Sequence, residues 1–152
     1  MPRWLRWMGN SGSSQCGSDV YKRYLFLGDV LLLPGDGYDA TSSAGSNKGP
    51  TNQEYLDEVK ARIDTFLVHH PYLNRADVPA EMVTASGSGL DPNITPQCAY
   101  VQVKRVAQAR GLTEKQVRAI VDKSIEKPFL GLLGTEKVNV LKLNIALEES
   151  NK

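Results

Sequence analysis

The residues best placed to do chemistry are Ala85-Ser86-Gly87-Ser88-Gly89-Leu90-Asp91-Pro92, where two glycines and two serines follow a short β-branched run. Such a loop can aim several backbone N–H groups at one point and receive an anion. It lacks the lysine of a Walker loop and the spacing of a dinucleotide fingerprint, both of which supply contacts to phosphate. It reads first as a tight turn feeding a helix at Thr95, and second as a ligand-binding or nucleotide-related loop.

His69 and His70 are neighbours, so on a helix they diverge by about 100° and do not share a metal as residues at i and i+4 can. They read as a helix C-terminus where imidazole and the helix dipole interact favourably. No GxSxG motif accompanies them to suggest a catalytic base. Cys16 and Cys98, far apart and without CxxC spacing, read as two independent thiols and support no zinc site. The sequence therefore predicts neither catalytic residues nor a metal.

Residues 95–127 offer a different chemistry. Two helices joined by Gly111-Leu112 would form a helix-turn-helix, and residues 101–127 hold seven cations, among them Lys104, Arg105, Arg110, Lys115 and Arg118, against three anions. A duplex-reading helix aims its first turn at bases, however, and this one begins Glu114-Lys115-Gln116 with its cations scattered around the axis. A solvated basic face is the preferred reading, and DNA binding through 95–127 is the alternative.

The elements that would position these groups follow from periodicity and caps. Thr51-Asn52-Gln53-Glu54 is a capping-box pattern, and Tyr55, Leu56, Val59, Ile63, Phe66 and Leu67 recur behind it, predicting a helix from Asn52 to about His69, ended with the help of Pro71. A second helix is expected from Thr95-Pro96 to Arg110, with Ala99, Tyr100, Val103, Val106 and Ala107 on its apolar face. A third starts at the capping box Thr113 to Gln116, buries Val117, Ile120, Val121 and Ile125, and stops before Pro128. Strands are expected at Glu81 to Thr84 and at Lys137 to Leu147, where Leu141, Leu143, Ile145 and Leu147 alternate with the intervening residues. Together these predict an α+β fold, a single domain with about three amphipathic helices packed on a small mixed sheet.

Bulk properties narrow the function classes. At 152 residues and 41% hydrophobic composition the chain is one domain long. A net charge of +1 provides no global field for gripping nucleic acid or anionic lipid. The most apolar stretch, Tyr24 to Leu33, is interrupted by Gly28 and Asp29 and followed by Pro34, short of the roughly 18–20 apolar residues of a membrane crossing. The N-terminus has no apolar core of signal-peptide length, so the chain as written reads as soluble.

From Gly35 onward the sequence resembles the C subunit (KdpC) of the bacterial Kdp potassium-transporting P-type ATPase. The resemblance rests on Gly35-Asp36-Gly37-Tyr38, on Ala44-Gly45-Ser46-Asn47-Lys48-Gly49-Pro50, and on Val78 to Asp91 with its Thr84-Ala85-Ser86-Gly87-Ser88-Gly89-Leu90-Asp91 core. It continues through Arg105-Val106-Ala107 with Ala109-Arg110, Leu130-Gly131-Leu132-Leu133-Gly134, and Val138-Asn139-Val140-Leu141 with Leu143-Asn144. It marks Ser86, Gly87, Ser88, Gly89, Leu90 and Asp91 as an interaction or nucleotide-related loop, and Arg105, Arg110, Asn139 and Asn144 as further family-motif positions.

The resemblance implies a non-catalytic accessory subunit of an ATP-driven potassium import complex in the cell inner membrane. Its partners would be the channel-like and ATP-hydrolysing subunits, with no nucleic acid. No cofactor would be firmly bound; ATP enters through the hydrolysing subunit, whose ATP affinity the C subunit is proposed to raise. Members carry a single N-terminal membrane helix with an extracytoplasmic main domain, and this chain shows no such helix. Where members have a Trp-Gly-Arg-Pro-Ser type segment, Leu27 to Pro34 reads Leu-Gly-Asp-Val-Leu-Leu-Leu-Pro. One choice of codons for Leu27 to Pro34 yields the family segment in another reading frame. Residues 1–34 are accordingly expected to be an atypical segment, out of frame or disordered and poorly packed, and residues 35–152 the KdpC-like domain.

Overall fold

A computed structural model of the chain describes residues 26–27, 48–87, 91–128, 130 and 132–150. Helix α1 spans Gln53–His69. A turn in which the Asn52 N–H donates to the Gly49 carbonyl at 3.1 Å delivers Asn52 to the cap position. Its Oδ1 accepts the Tyr55 N–H at 3.1 Å, so the cap lies one residue later than a box opened by Thr51 would place it. Two single 3₁₀ turns follow, Arg75–Asp77 and Ala80–Met82. The second replaces the strand expected at Glu81 to Thr84: the Val83 and Thr84 N–H groups both donate back to the Ala80 carbonyl, at 3.1 and 3.0 Å, leaving neither for a ladder.

Strand β1 is Asn93–Ile94, and Thr95 then caps α2, Pro96–Tyr100, with Pro96 in the first turn. Helix α3, Val103–Arg110, is separate from α2, whereas the periodicity predicts one continuous helix. The break has a local cause. The Gln102 N–H bonds to Ala99 O at 3.1 Å, a tightened turn, while the Gln102 side-chain Nε2 donates to the Cys98 carbonyl at 3.0 Å, the group that an unbroken helix would pair with the main chain. Gly111 ends α3 in the left-handed region at φ 67°, where glycine carries no Cβ penalty.

Helix α4, Glu114–Ser124, opens with the predicted capping box of Thr113 and Gln116. It stops before Ile125, which the periodicity placed in the helix. Ile125–Glu126 is strand β2. Strand β3, Lys137–Asn139, pairs antiparallel with both β1 and β2, so the sheet of order β1-β3-β2 is antiparallel throughout and not mixed.

The long strand expected through Leu147 is a helix beyond Asn139: α5 spans Val140–Glu149, and Asn139 caps it by accepting the Lys142 N–H at 3.0 Å. Leu143 and Leu147, four apart, are fully buried, whereas Leu141 and Ile145 are 63% and 45% exposed. That burial follows the 3.6-residue period and not the alternation.

The fold is α+β, with the helices and the small sheet sharing one core. Phe66, Met82, Ile94, Cys98, Ala99, Val103, Val106, Ala107, Val117, Val121, Val138, Leu143 and Leu147 form it, joined by Phe26 and Leu27. These last two belong to the segment expected to pack poorly, and at these positions that expectation does not hold: both side chains and both backbone amides are engaged. The remainder of 1–34, with Cys16, and the motif residues 35–47 lie outside the described residues. On α1 Phe66 alone is fully buried, with Tyr55, Val59, Ile63 and Leu67 partly so.

Candidate functional site

Two sites are built from the motif residues, one at the surface and one in the core. At the surface, Ser86 and Asp91 line a cavity of about 440 Å³ with Glu81, Thr95, Glu136 and Lys137. Ser88, Gly89 and Leu90 lie outside the described residues. The Asp91 carboxylate accepts the Asn93 N–H and side-chain Nδ2, both at 2.9 Å, and so braces the exit of the loop. Three carboxylates against one lysine make this lining acidic, which repels phosphate and does not receive it. Gly87 has no positive φ, and a Cβ built on it meets no heavy atom within 4 Å. The fold therefore does not itself require glycine there. Beneath the cavity Cys98 is a buried free thiol, its Sγ donating to Glu81 Oε2 at 3.4 Å, and burial pushes it up to about 11.

In the core, Arg105 and Asn144 belong to a polar network that the sequence does not announce. His70, the residue after α1, is fully buried and stacks on Phe66 with ring centroids 4.0 Å apart. Its Nδ1 lies 2.8 Å from the Phe66 carbonyl, and its Nε2 accepts the Arg105 Nε–H at 3.0 Å. Those two bonds fix a neutral tautomer with the proton on Nδ1. Burial lowers the ring to about 4, so this histidine is not the charged partner of the helix dipole that the sequence suggests. Arg105, 6% exposed, has its own pKa lowered by burial to about 10 and stays charged. Its Nη2 donates to Gln102 Oε1 at 2.8 Å.

Gln102, which no motif marks, is the centre of the network. Its Oε1 also accepts the Leu27 N–H at 2.8 Å, and its Nε2 donates to the Leu27 carbonyl at 2.9 Å as well as to Cys98 O. Asn144 treats the preceding residue alike: Oδ1 accepts the Phe26 N–H at 2.9 Å and Nδ2 donates to the Phe26 carbonyl at 3.1 Å. The legible signal for Gln102 was a polar side chain on the apolar side of a helix pattern. Asn139 is the cap of α5. Arg110 ion-pairs with Glu148 at 2.7 Å and so ties the end of α3 to α5.

Helices α3 and α4 follow one another across the short Gly111 turn, and two of their cations are seated on rings. Lys104 Nζ lies 4.8 Å from the centre of the Tyr72 ring and Arg118 Cζ 4.6 Å from that of Tyr100. These four residues line a cleft of about 360 Å³ with Glu114 and Lys115. No group of three or more His, Cys, Asp or Glu side chains among the described residues could hold a metal, and no helix among them is long and apolar enough to cross a membrane.

Three leucines of the motif loop, Leu130, Leu132 and Leu133, are 77%, 86% and 66% exposed.

Comparison with known proteins extends the resemblance over most of the chain. The profile of KdpC, described as the K⁺-transporting ATPase c chain, matches residues 9–149, a range that begins inside the 1–34 segment. The chain is 84% identical over 139 residues to a potassium-transporting ATPase KdpC subunit of Bacteroides thetaiotaomicron, covering 91% of this chain and 73% of that one. It is 79% identical over the same length to the protein of that name from Phocaeicola vulgatus, with the same coverage. It is 50% identical over 138 residues to the one from Nitratidesulfovibrio vulgaris, covering 91% of this chain and 70% of that one.

Proposed function

Because this chain belongs to the KdpC family, the c chain of the K⁺-transporting ATPase, we propose that it serves the potassium pump as a non-catalytic accessory subunit. In this reading it assists assembly and stability of the complex through contacts with the channel-like and ATP-hydrolysing subunits. Any rise in ATP affinity is transmitted through those neighbours and not by firm binding of ATP to this chain. Membrane attachment would run through an N-terminal helix of the family type.

The family match over residues 9–149 carries the reading. The surface chemistry supports it. The exposed leucines at 130, 132 and 133 suit a protein contact, and Gly87 presents open backbone on a loop where nothing within the fold demands glycine. The acidic lining beside Ser86 favours a contact role for this loop over direct nucleotide binding.

The test is co-expression with the other pump subunits, purification of the complex and measurement of KM for ATP. Gly87→Trp should leave the fold intact, since its Cβ site is open, while weakening retention in the complex. An unaltered pump complex with unaltered KM when this chain is omitted would sink the proposal. Binding to duplex DNA at low salt that falls steeply as salt rises would favour the alternative use of residues 95–127.

A further inference from the structure

Among the described residues, four hydrogen bonds reach Phe26 and Leu27, all made by side-chain carboxamides and all to main chain. In an extended chain the N–H and C=O of one residue point to one side and those of the next to the other. Asn144 takes both groups of Phe26 and Gln102 takes both groups of Leu27, one from α5 and the other from the break between α2 and α3. Each carboxamide supplies the donor and acceptor that a neighbouring strand would supply.

We propose that Gln102 and Asn144 form a main-chain clamp, a binding site for an extended peptide, and that its occupant is this chain's own Phe26–Leu27 segment. The Gln102 half of the clamp is held by partners other than its occupant, Arg105 on Oε1 and the Cys98 carbonyl on Nε2. Gln102 uses both acceptor positions, on Arg105 and Leu27 N–H, and both donors, on Leu27 O and Cys98 O. A flipped amide would set its NH₂ against the Arg105 guanidinium, donor against donor. Arg105, itself held by His70, is therefore a positioning residue for the clamp.

Main-chain recognition has a consequence for specificity. The hydrogen bonds do not depend on which side chains the segment carries, and selectivity is left to the apolar surroundings of Phe26 and Leu27, which are 0% and 2% exposed. A segment of any sequence can thus be held, provided it is extended and apolar at these two positions. The proposal stands apart from the pump reading, because it concerns how this chain binds its own N-terminal segment.

Amide hydrogen exchange on the full chain, resolved by residue, tests it. In the unmodified protein the Phe26 and Leu27 amides should exchange far more slowly than in an unfolded chain. Asn144→Leu should speed exchange at Phe26 tenfold or more, with the amides of Val106 and Val121 unchanged. Gln102→Leu should do the same at Leu27. Asn144→Asp keeps the acceptor for the Phe26 N–H but sets a carboxylate oxygen against the Phe26 carbonyl, acceptor against acceptor, so it should speed exchange at Phe26 less than Asn144→Leu does, and unchanged Val106 and Val121 amides guard against a variant that fails to fold. Arg105→Lys should loosen Leu27 more than Phe26. Exchange at Phe26 and Leu27 as fast as in unfolded chain, or protection at Phe26 that survives Asn144→Leu, would overturn the assignment.

Discussion

His70 shows how one buried side chain sets a pH limit. The unfolded chain takes up a proton on this ring near 6.5, whereas in the fold burial holds the ring neutral down to about 4. Folded stability is therefore complete above about pH 6.5, falls as pH drops from 6.5 to 4, and falls no further from this source below 4. A gap of about 2.5 in pKa corresponds to roughly 3 kcal/mol at about 1.36 kcal/mol each. Urea unfolding between pH 4 and 7 should show that slope, and His70→Gln should flatten it. An equal slope in both proteins would refute the assignment. Asp57, Glu58 and Glu126 do not mimic the effect. Hydrogen bonds from Lys60, Lys48 and Lys142 hold these carboxylates below their ordinary range, so their contribution is lost only at lower pH, as each is protonated. Of the residues in this network, Arg105 and Asn144 were reachable from the family motif, while His70 and Gln102 were not. Their roles depend on partners 3 to 75 positions away along the chain, and no local pattern encodes the distant ones.

At the scale of elements, most caps were legible and several lengths were not. Thr95, Thr113 and Gly111 stand where short-range chemistry places them, because a cap is decided by a few neighbouring atoms. Alternating leucines after Val138 misled because Leu141, Leu143, Ile145 and Leu147 fit a strand face, while Leu143 and Leu147 with half-buried Val140 fit a helix face equally well. Asn139, a good N-cap after three strand residues, was the local signal that separates them. The two readings make opposite predictions. In a strand Leu141 and Leu143 would share a face; in α5, Leu143→Ala should cost about 2–5 kcal/mol and Leu141→Ala under about 0.5 kcal/mol. Thermal or urea unfolding of the two variants decides between them, and similar losses for both would contradict the helix. The split between α2 and α3 has a tertiary origin as well, since the Gln102 side chain that caps Cys98 O is also committed to Leu27.

Across the whole molecule, a single core is reached from both ends of the described chain, by Phe26 and Leu27 at one end and by Leu143 and Leu147 at the other. Among the described residues, three of the large apolar side chains that are exposed fall together on the loop of Leu130, Leu132 and Leu133, with Val68, Leu141 and Ile145 exposed on helices. Leu132→Glu should leave the unfolding free energy within about 0.5 kcal/mol of the parent, as surface changes do, yet reduce recovery of the chain with the other pump subunits. Recovery equal to the parent would remove this loop as a contact surface. The sequence by itself determined the family, the α+β class and most helix starts, because these depend on ordered motifs, composition and capping chemistry within a few residues. It also determined that one domain's worth of apolar side chains is present. Only the tertiary structure decided that residues 137–149 change from strand to helix at Asn139, and that Gln102 and Asn144 hold the main chain of Phe26 and Leu27. The physical reason is that a buried amide must find a partner, and which partner it finds depends on what the fold brings within about 3 Å of it.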